Sequence, residues 1–182
     1  MDGVAIVVVA FWSMLPAYLP NNVAVLAGGG PPIDGGRTLG GRRMLGDGKT
    51  WRGTVVGVAV GGALALALDA AAPATRDLFG VEAIPAFPLA IVVALPAGAM
   101  LGDIAASFIK RRSGRERGAA MPGLDQFDFV VGALALAALA DYSWFSETFR
   151  LPVLLFVVVI TPVLHLGTNY LAYLLGLKDV PW

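Results

Sequence analysis

Three aspartates stand beside clustered positive charge in this chain. Asp103 begins the run Asp103-Ile104-Ala105-Ala106-Ser107-Phe108-Ile109-Lys110-Arg111-Arg112, and two more acids follow in Pro122-Gly123-Leu124-Asp125-Gln126-Phe127-Asp128. Ser107 and Lys110 fall at i+4 and i+7 from Asp103, so a helix puts all three on one face. Asp125 and Asp128 are three apart and share a face in the same way. Helix capping accounts for one or both of the paired acids, and a hydrogen bond to a neighbouring helix would account for Asp103. Neither explains three carboxylates at one depth in apolar surroundings, where bare charge is costly. Together they suggest a Mg²⁺ site, because that ion takes one or two protein carboxylates and leaves its other positions to water and substrate phosphates. A pair of such ions can stabilise both entering and leaving oxygens of an in-line displacement.

A second segment carries complementary chemistry. The loop over residues 27–52 contains Gly28-Gly29-Gly30-Pro31-Pro32-Ile33-Asp34-Gly35-Gly36-Arg37 and then Gly46-Asp47-Gly48-Lys49-Thr50-Trp51-Arg52-Gly53. Glycines let backbone amides approach a polyanion, and Lys49, Arg52 and a nearby helix start add positive potential, which reads as a phosphate cradle. A flexible linker is the plainer reading, yet Asp47, Lys49, Thr50 and Arg52 crowd together where a linker needs only polarity. The Gly48-Lys49-Thr50 triplet is not a Walker A loop. Its upstream glycine position holds Arg43, and no βαβ unit surrounds it.

The elements that must position these groups are membrane helices. Hydrophobic residues make up 57% of the 182 residues and charged ones only 14%, far more apolar than a soluble domain. Five continuous apolar stretches, residues 4–26, 53–71, 84–109, 124–140 and 151–175, approach or exceed the roughly 20 helical residues that cross a ~30 Å hydrocarbon core. Helices satisfy their own backbone in lipid, and the runs do not alternate as barrel strands would. The expected fold is all-α, a single membrane-embedded domain over residues 1–182 with five transmembrane helices. The first stretch lacks a basic n-region and is read as retained. No cysteine is present, so disulfides and thiolate metal sites are excluded.

Charge sets the orientation. Loop 27–52 holds Arg37, Arg42, Arg43, Lys49 and Arg52, and loop 110–123 holds Lys110, Arg111, Arg112, Arg115 and Arg117. The positive-inside rule makes both loops cytoplasmic, with the N-terminus outside and the C-terminus, near Lys178, inside. Asp2, Asp69, Asp77, Glu82, Asp141 and Glu147 then fall at the opposite surface, a segregation hidden by a net charge of zero. His165, with Pro162 before it and Asn169 after, is read as hydrogen-bonded to a neighbouring helix. Trp12, Trp51, Trp144 and Trp182 are read mostly as interfacial anchors.

In combination these motifs resemble the CTP-dependent phosphatidate cytidylyltransferases, the CDP-diacylglycerol synthases. The chain lacks the lysine-aspartate pair and the histidine-glycine-glycine run of the bacterial forms. Its short length, Pro32-Ile33-Asp34-Gly35, the Gly46–Gly53 run and the ending Gly176-Leu177-Lys178-Asp179-Val180-Pro181-Trp182 look closer to the archaeal branch, the CDP-archaeol synthases. The resemblance implies a Mg²⁺-dependent transfer of the cytidylyl group of CTP to 2,3-bis-O-geranylgeranylglycerol 1-phosphate, a lipid phosphate with isoprenoid chains. The products would be a CDP-activated lipid and pyrophosphate. Such an enzyme works in a cell membrane with its site on the cytoplasmic side, and no nucleic-acid partner is expected. Carried over by position, Asp103, Asp125 and Asp128 are the implied metal ligands and, with Lys110 and Arg111, the catalytic set. Lys49, Thr50, Arg52, Ser107 and Arg112 are implied to bind substrate, with Asp34 and Asp47 supporting the first loop. Two rival readings remain at this point: a CTP-dependent polyprenol or lipid kinase, which would transfer the γ-phosphate, and a small transporter with intramembrane acids.

Overall fold

The computed structural model describes residues 1–115 and 121–176. Six helices and one short hairpin follow in the order α1 (Gly3–Leu26), β1 (Thr38–Leu39), β2 (Arg42–Arg43), α2 (Trp51–Phe79), α3 (Leu89–Arg112), α4 (Leu124–Ala140), α5 (Tyr142–Thr148) and α6 (Leu151–Leu174). Four segments, Gly3–Leu26, Trp51–Phe79, Leu89–Arg112 and Leu151–Leu171, are long and apolar enough to cross a membrane. The expected fourth span is helical as α4, but its 17 residues extend only about 25 Å at 1.5 Å per residue. Among the described residues four helices, not the five expected, meet the length and composition of a membrane span; α4 runs from the basic end to the end where α5 lies.

Several boundaries differ from expectation. The stretch that was to begin at residue 84 becomes helical only at Leu89, because Pro85 and Pro88 disfavour helical backbone in the residues before them. Residues 84–87 are instead held in place: the indole N–H of Trp12 donates to the Pro85 carbonyl (3.0 Å) and that of Trp144 to the Ala86 carbonyl (2.6 Å), while Asp69 accepts from the Phe87 N–H (3.0 Å). Trp12 and Trp144 are therefore buried staples, not membrane-surface anchors. Helix α2 continues past residue 71 to Phe79 and stops at Gly80, whose φ of +64° is left-handed. At the other end of α3, Lys110, Arg111 and Arg112 are helical rather than loop, as cations in a last turn favour. The all-α expectation needs one addition, the β1–β2 hairpin, which pairs Thr38 with Arg43 and Leu39 with Arg42.

Two glycine-lined seams hold the bundle together. Between α3 and α4, a Cβ on Gly98 would lie 2.7 Å from the Ala133 Cα, and one on Gly102 would lie 2.8 Å from the Asp128 carbonyl carbon. Gly132 sits reciprocally against Gly98 and Gly102. Between α1 and α2, a Cβ on Gly57 would approach the Pro20 carbonyl oxygen at 2.8 Å, and one on Gly61 would meet Pro16 and Pro96. Small residues allow this backbone approach where lipid provides no hydrophobic drive between helices. Helix α6 joins the bundle through buried Val153 and Val157 and through Thr161, whose hydroxyl shares a 2.9 Å hydrogen bond with Tyr18 of α1.

Candidate active site

The first loop is built around one carboxylate. Asp34, its side chain only 1% exposed, accepts from the backbone N–H groups of Gly36 (3.0 Å), Leu45 (3.0 Å) and Gly46 (3.2 Å). It also accepts from the Arg43 guanidinium through Nε (3.3 Å) and Nη2 (2.8 Å). The Arg43 guanidinium holds the Asp34 carboxyl well below the usual carboxylate range, outweighing the opposing effect of burial. Arg43 reaches Asp47 as well, at 2.6 Å, and the two acids raise its own pKa. The chain then turns at Gly46, where φ is +102°, a conformation glycine adopts without strain. It returns through the Ile33 N–H to Lys49 carbonyl bond (2.8 Å). The glycines are thus the hinges of a clamped loop rather than a slack linker.

That clamp delivers Lys49 to Asp103, with which its ammonium forms an ion pair. A second pair joins Lys110 of α3 to Asp125 of α4. Between the loop, α3 and α4 lies a polar cavity of about 180 Å³. Gly46, Gly48 and Lys49 line it from the loop, Asp103, Ser107, Lys110 and Arg111 from α3, and Asp128 from α4. Asp103 and Asp128 reach one cavity because Gly102 lets α4 press against the turn that carries Asp103. Asp103, Asp125 and Lys49 all act electrostatically on Asp128.

Asp125 stands somewhat apart. It accepts from the Met121 N–H at 2.8 Å and does not line the cavity. Gly123, not Asp125, is the N-cap of α4, and its N–H donates to the side-chain Oε1 of Gln126 at 2.6 Å. Among the described residues no three acids or imidazoles converge as a ready metal cluster. The donor set still fits Mg²⁺: two carboxylates from different helices meet in a polar cavity, with no nitrogen or sulfur ligand among them. A hard ion of that kind draws its other oxygens from phosphate and water.

Other expected site residues take structural places. Thr50 is buried, and its hydroxyl caps α2 by accepting from the Gly53 N–H at 3.1 Å. Arg52 donates to the Ala27 carbonyl at 2.7 Å, where a cation suits the end of α1. Arg112 donates to backbone carbonyls of the hairpin. Glu116, Arg117 and the ending 177–182, including Lys178, lie outside the described residues. Sequence reasoning treated Arg43 only as an orientation charge, although its place between Asp34 and Asp47 was a signal. It did not single out Gly132, the α4 half of the seam. A larger cavity of about 590 Å³ lies at the opposite end, lined by residues such as Ile84, Pro85, Phe87 and Trp144. None of the clustered basic groups reaches it.

Comparison with known proteins identifies the family. Residues 4–182 match the CarS-like family, described as CDP-archaeol synthase. The chain is 67% identical to the CDP-archaeol synthase of Halobacterium salinarum (strain ATCC 29341 / DSM 671 / R1) over the full length of both. It is 59% identical to that of Natronomonas pharaonis over 97% of each chain, and 48% identical to that of Methanococcoides burtonii over 93% of this chain and 100% of the relative. A solved structure, described as an intramembrane enzyme for archaeal membrane lipids biosynthesis, superposes with a TM-score of 0.70 at 39% identity, covering 88% of this chain and 92% of that one.

Proposed function

Because the chain belongs to the CarS-like, CDP-archaeol synthase family, we propose that the cavity between the first loop, α3 and α4 is where its cytidylyl transfer from CTP to an archaeal lipid phosphate takes place. The observation that carries this placement is the meeting of Asp103 and Asp128 with Lys49, Lys110 and Arg111 in one polar cavity at the end of an otherwise apolar bundle. The acceptor is an ether lipid phosphate, 2,3-bis-O-geranylgeranylglycerol 1-phosphate. The chain works as one membrane-embedded domain over residues 1–182.

The physical problem is to bring one polyanion against another. An oxygen of the lipid phosphate attacks the α-phosphorus of CTP; the new P–O bond forms as the bond to the β-phosphate oxygen breaks, and pyrophosphate leaves. A phosphomonoester carries a charge of about −1.5 to −2 at neutral pH, so the nucleophile is already ionised and no general base is required. Lys49, Lys110 and Arg111 neutralise the approach and the departing pyrophosphate, in a cavity whose shape fixes their positions beforehand. Asp103 and Asp128 would hold Mg²⁺, while Asp125, outside the cavity, is paired with Lys110. Bound there, that ion would supply positive charge to offset the charge developing on the phosphates. Binding then requires Lys49 and Lys110 to exchange their carboxylate partners for phosphates. Ser107 offers its hydroxyl to the same phosphates, and Asp34 and Asp47 keep the loop in shape.

The positive-inside rule places this end of the bundle in the cytoplasm and the N-terminus outside, with α4 as a short fifth membrane crossing. Because the chain contains no cysteine, single cysteines at Ser113 and Leu78 can be labelled from either side of sealed vesicles. Labelling of both from the same side would refute this topology.

The catalytic reading is tested by supplying purified protein with Mg²⁺, the ether lipid phosphate and CTP labelled at either the α or the γ position. Label from the α-phosphate should enter the lipid phase. Label from the γ-phosphate would identify a kinase, and none from either with folded protein would favour transport; family membership favours neither. Omitting the metal should abolish the α-label signal.

A further inference from the structure

Arg111 and Arg112 are neighbours on α3, but a helix turns ~100° per residue and points them differently. Arg111 lines the polar cavity. Arg112 turns towards the hairpin, where its guanidinium donates to three backbone carbonyls: Leu39, Arg42 (3.2 Å) and Arg43 (2.9 Å). Its other contact is the Phe108 ring, 5.5 Å below the guanidinium carbon, within cation–π range.

We propose that Arg112 is a positioning residue, strapping the β1–β2 hairpin onto α3 so that Lys49 is presented to the cavity. The proposal rests on reading that cavity as the CTP site. Each strand of the hairpin has only two residues, far too few to persist alone. The strap takes hold of carbonyls on both strands. From there the connection is continuous: the carbonyl of Arg43 is bound by Arg112, the side chain of Arg43 clamps Asp34, and Asp34 holds the amides of Leu45 and Gly46. Lys49 lies three residues beyond Gly46. Carbonyl acceptors mark the role as structural, since a guanidinium meant for the triphosphate would turn its donor fork to the cavity. Lysine could not replace it, because an ammonium is a point charge without the planar, multidentate reach.

The test separates positioning from charge and from direct contact. In protein carrying a spin label at Leu39→Cys, a site 51% exposed, Arg112→Gln should increase label mobility. It should raise the KM for CTP about tenfold while kcat at saturating CTP changes less than about twofold and the KM for lipid phosphate is unchanged. Arg112→Lys should mobilise the label in the same way despite keeping the charge, and it serves as the test variant if Arg112→Gln yields no folded protein. Arg111→Gln should raise the KM without mobilising the label. An immobile label in both Arg112 variants would overturn the proposal, as would full rescue by lysine. A mobile label with unchanged KM for CTP would reduce Arg112 to a purely structural residue and overturn its positioning role. The label reports the strap without CTP, so failure of the cytidylyl assay in the unmodified protein would count against the site assignment alone.

Discussion

Replacing Gly102 with alanine should inactivate the enzyme without unfolding it. The added Cβ would collide with the carbonyl oxygen of Asp128 and lie 2.8 Å from its carbonyl carbon and 3.1 Å from the Cα of Phe129. Carbon atoms in good contact are ~3.5–4.0 Å apart, so the carbonyl carbon alone requires α3 and α4 to separate by about 0.7 to 1.2 Å. Both obstacles are backbone, and no side chain can rotate away to absorb the change. The residue after Gly102 is Asp103, and the residue struck is Asp128, so the displacement falls directly on the two carboxylates of the cavity. A misplacement of ~1 Å in a preorganised site costs on the order of a hundredfold in rate, equivalent to about 2.7 kcal/mol of barrier. Overpacking should cost about 1–3 kcal/mol of stability, offset by up to ~1 kcal/mol from the better helix propensity of alanine. The assay is α-label transfer from CTP at saturating substrates, with thermal unfolding in detergent measured on the same preparation. Gly62→Ala is the control. Its Cβ would meet Val92 at 3.2 and 3.4 Å, far from the carboxylates, and turnover should stay within about twofold on the same reasoning. Folded Gly102→Ala protein with turnover near that of the unmodified enzyme would refute the claim that the seam sets the spacing of Asp103 and Asp128.

Asp128→Asn should abolish turnover while the solubilised protein keeps its thermal transition; substantial residual activity would refute the proposal that Asp128 holds a metal ion. Thr50→Ala should cost about 1 kcal/mol of stability through loss of the α2 cap and leave the KM for CTP unchanged, whereas a raised KM would show the hydroxyl reaching substrate. The Asp34 carboxyl titrates below its unfolded value, so its contribution to loop order is complete above that value and is lost only as pH falls through the lowered pKa. A spin label at Leu39→Cys should therefore keep constant mobility from about pH 8 to pH 5, given an unfolded carboxylate pKa near 4. Asp34→Asn should mobilise it at pH 7, and ordering lost by pH 5 in the unmodified protein would contradict the clamp.

Membrane character and helical class can be read from residue order alone, as can the two segments whose residues come together in one cavity. Long uninterrupted apolar runs leave helices as the economical solution in lipid, and ten Lys and Arg residues gathered in two segments declare one end of the bundle. The acids were legible because charge next to such runs is costly enough to need a reason. Element ends were less so. Pro85 and Pro88 delayed α3, while Pro73 did not stop α2, since whether a proline ends a helix depends on what replaces its missing hydrogen bond. Only the tertiary structure divided the labour among like residues: Arg111 to the cavity and Arg112 to the hairpin, Asp128 to the cavity and Asp125 to Lys110, Thr50 to a helix cap. These assignments depend on partners tens of residues away, such as Arg112 with Leu39 and Gly102 with Asp128. A residue's type states what it can bond. Which bond it makes is decided by the backbone approach that Gly98, Gly102 and Gly132 permit, because that approach sets which groups come within reach.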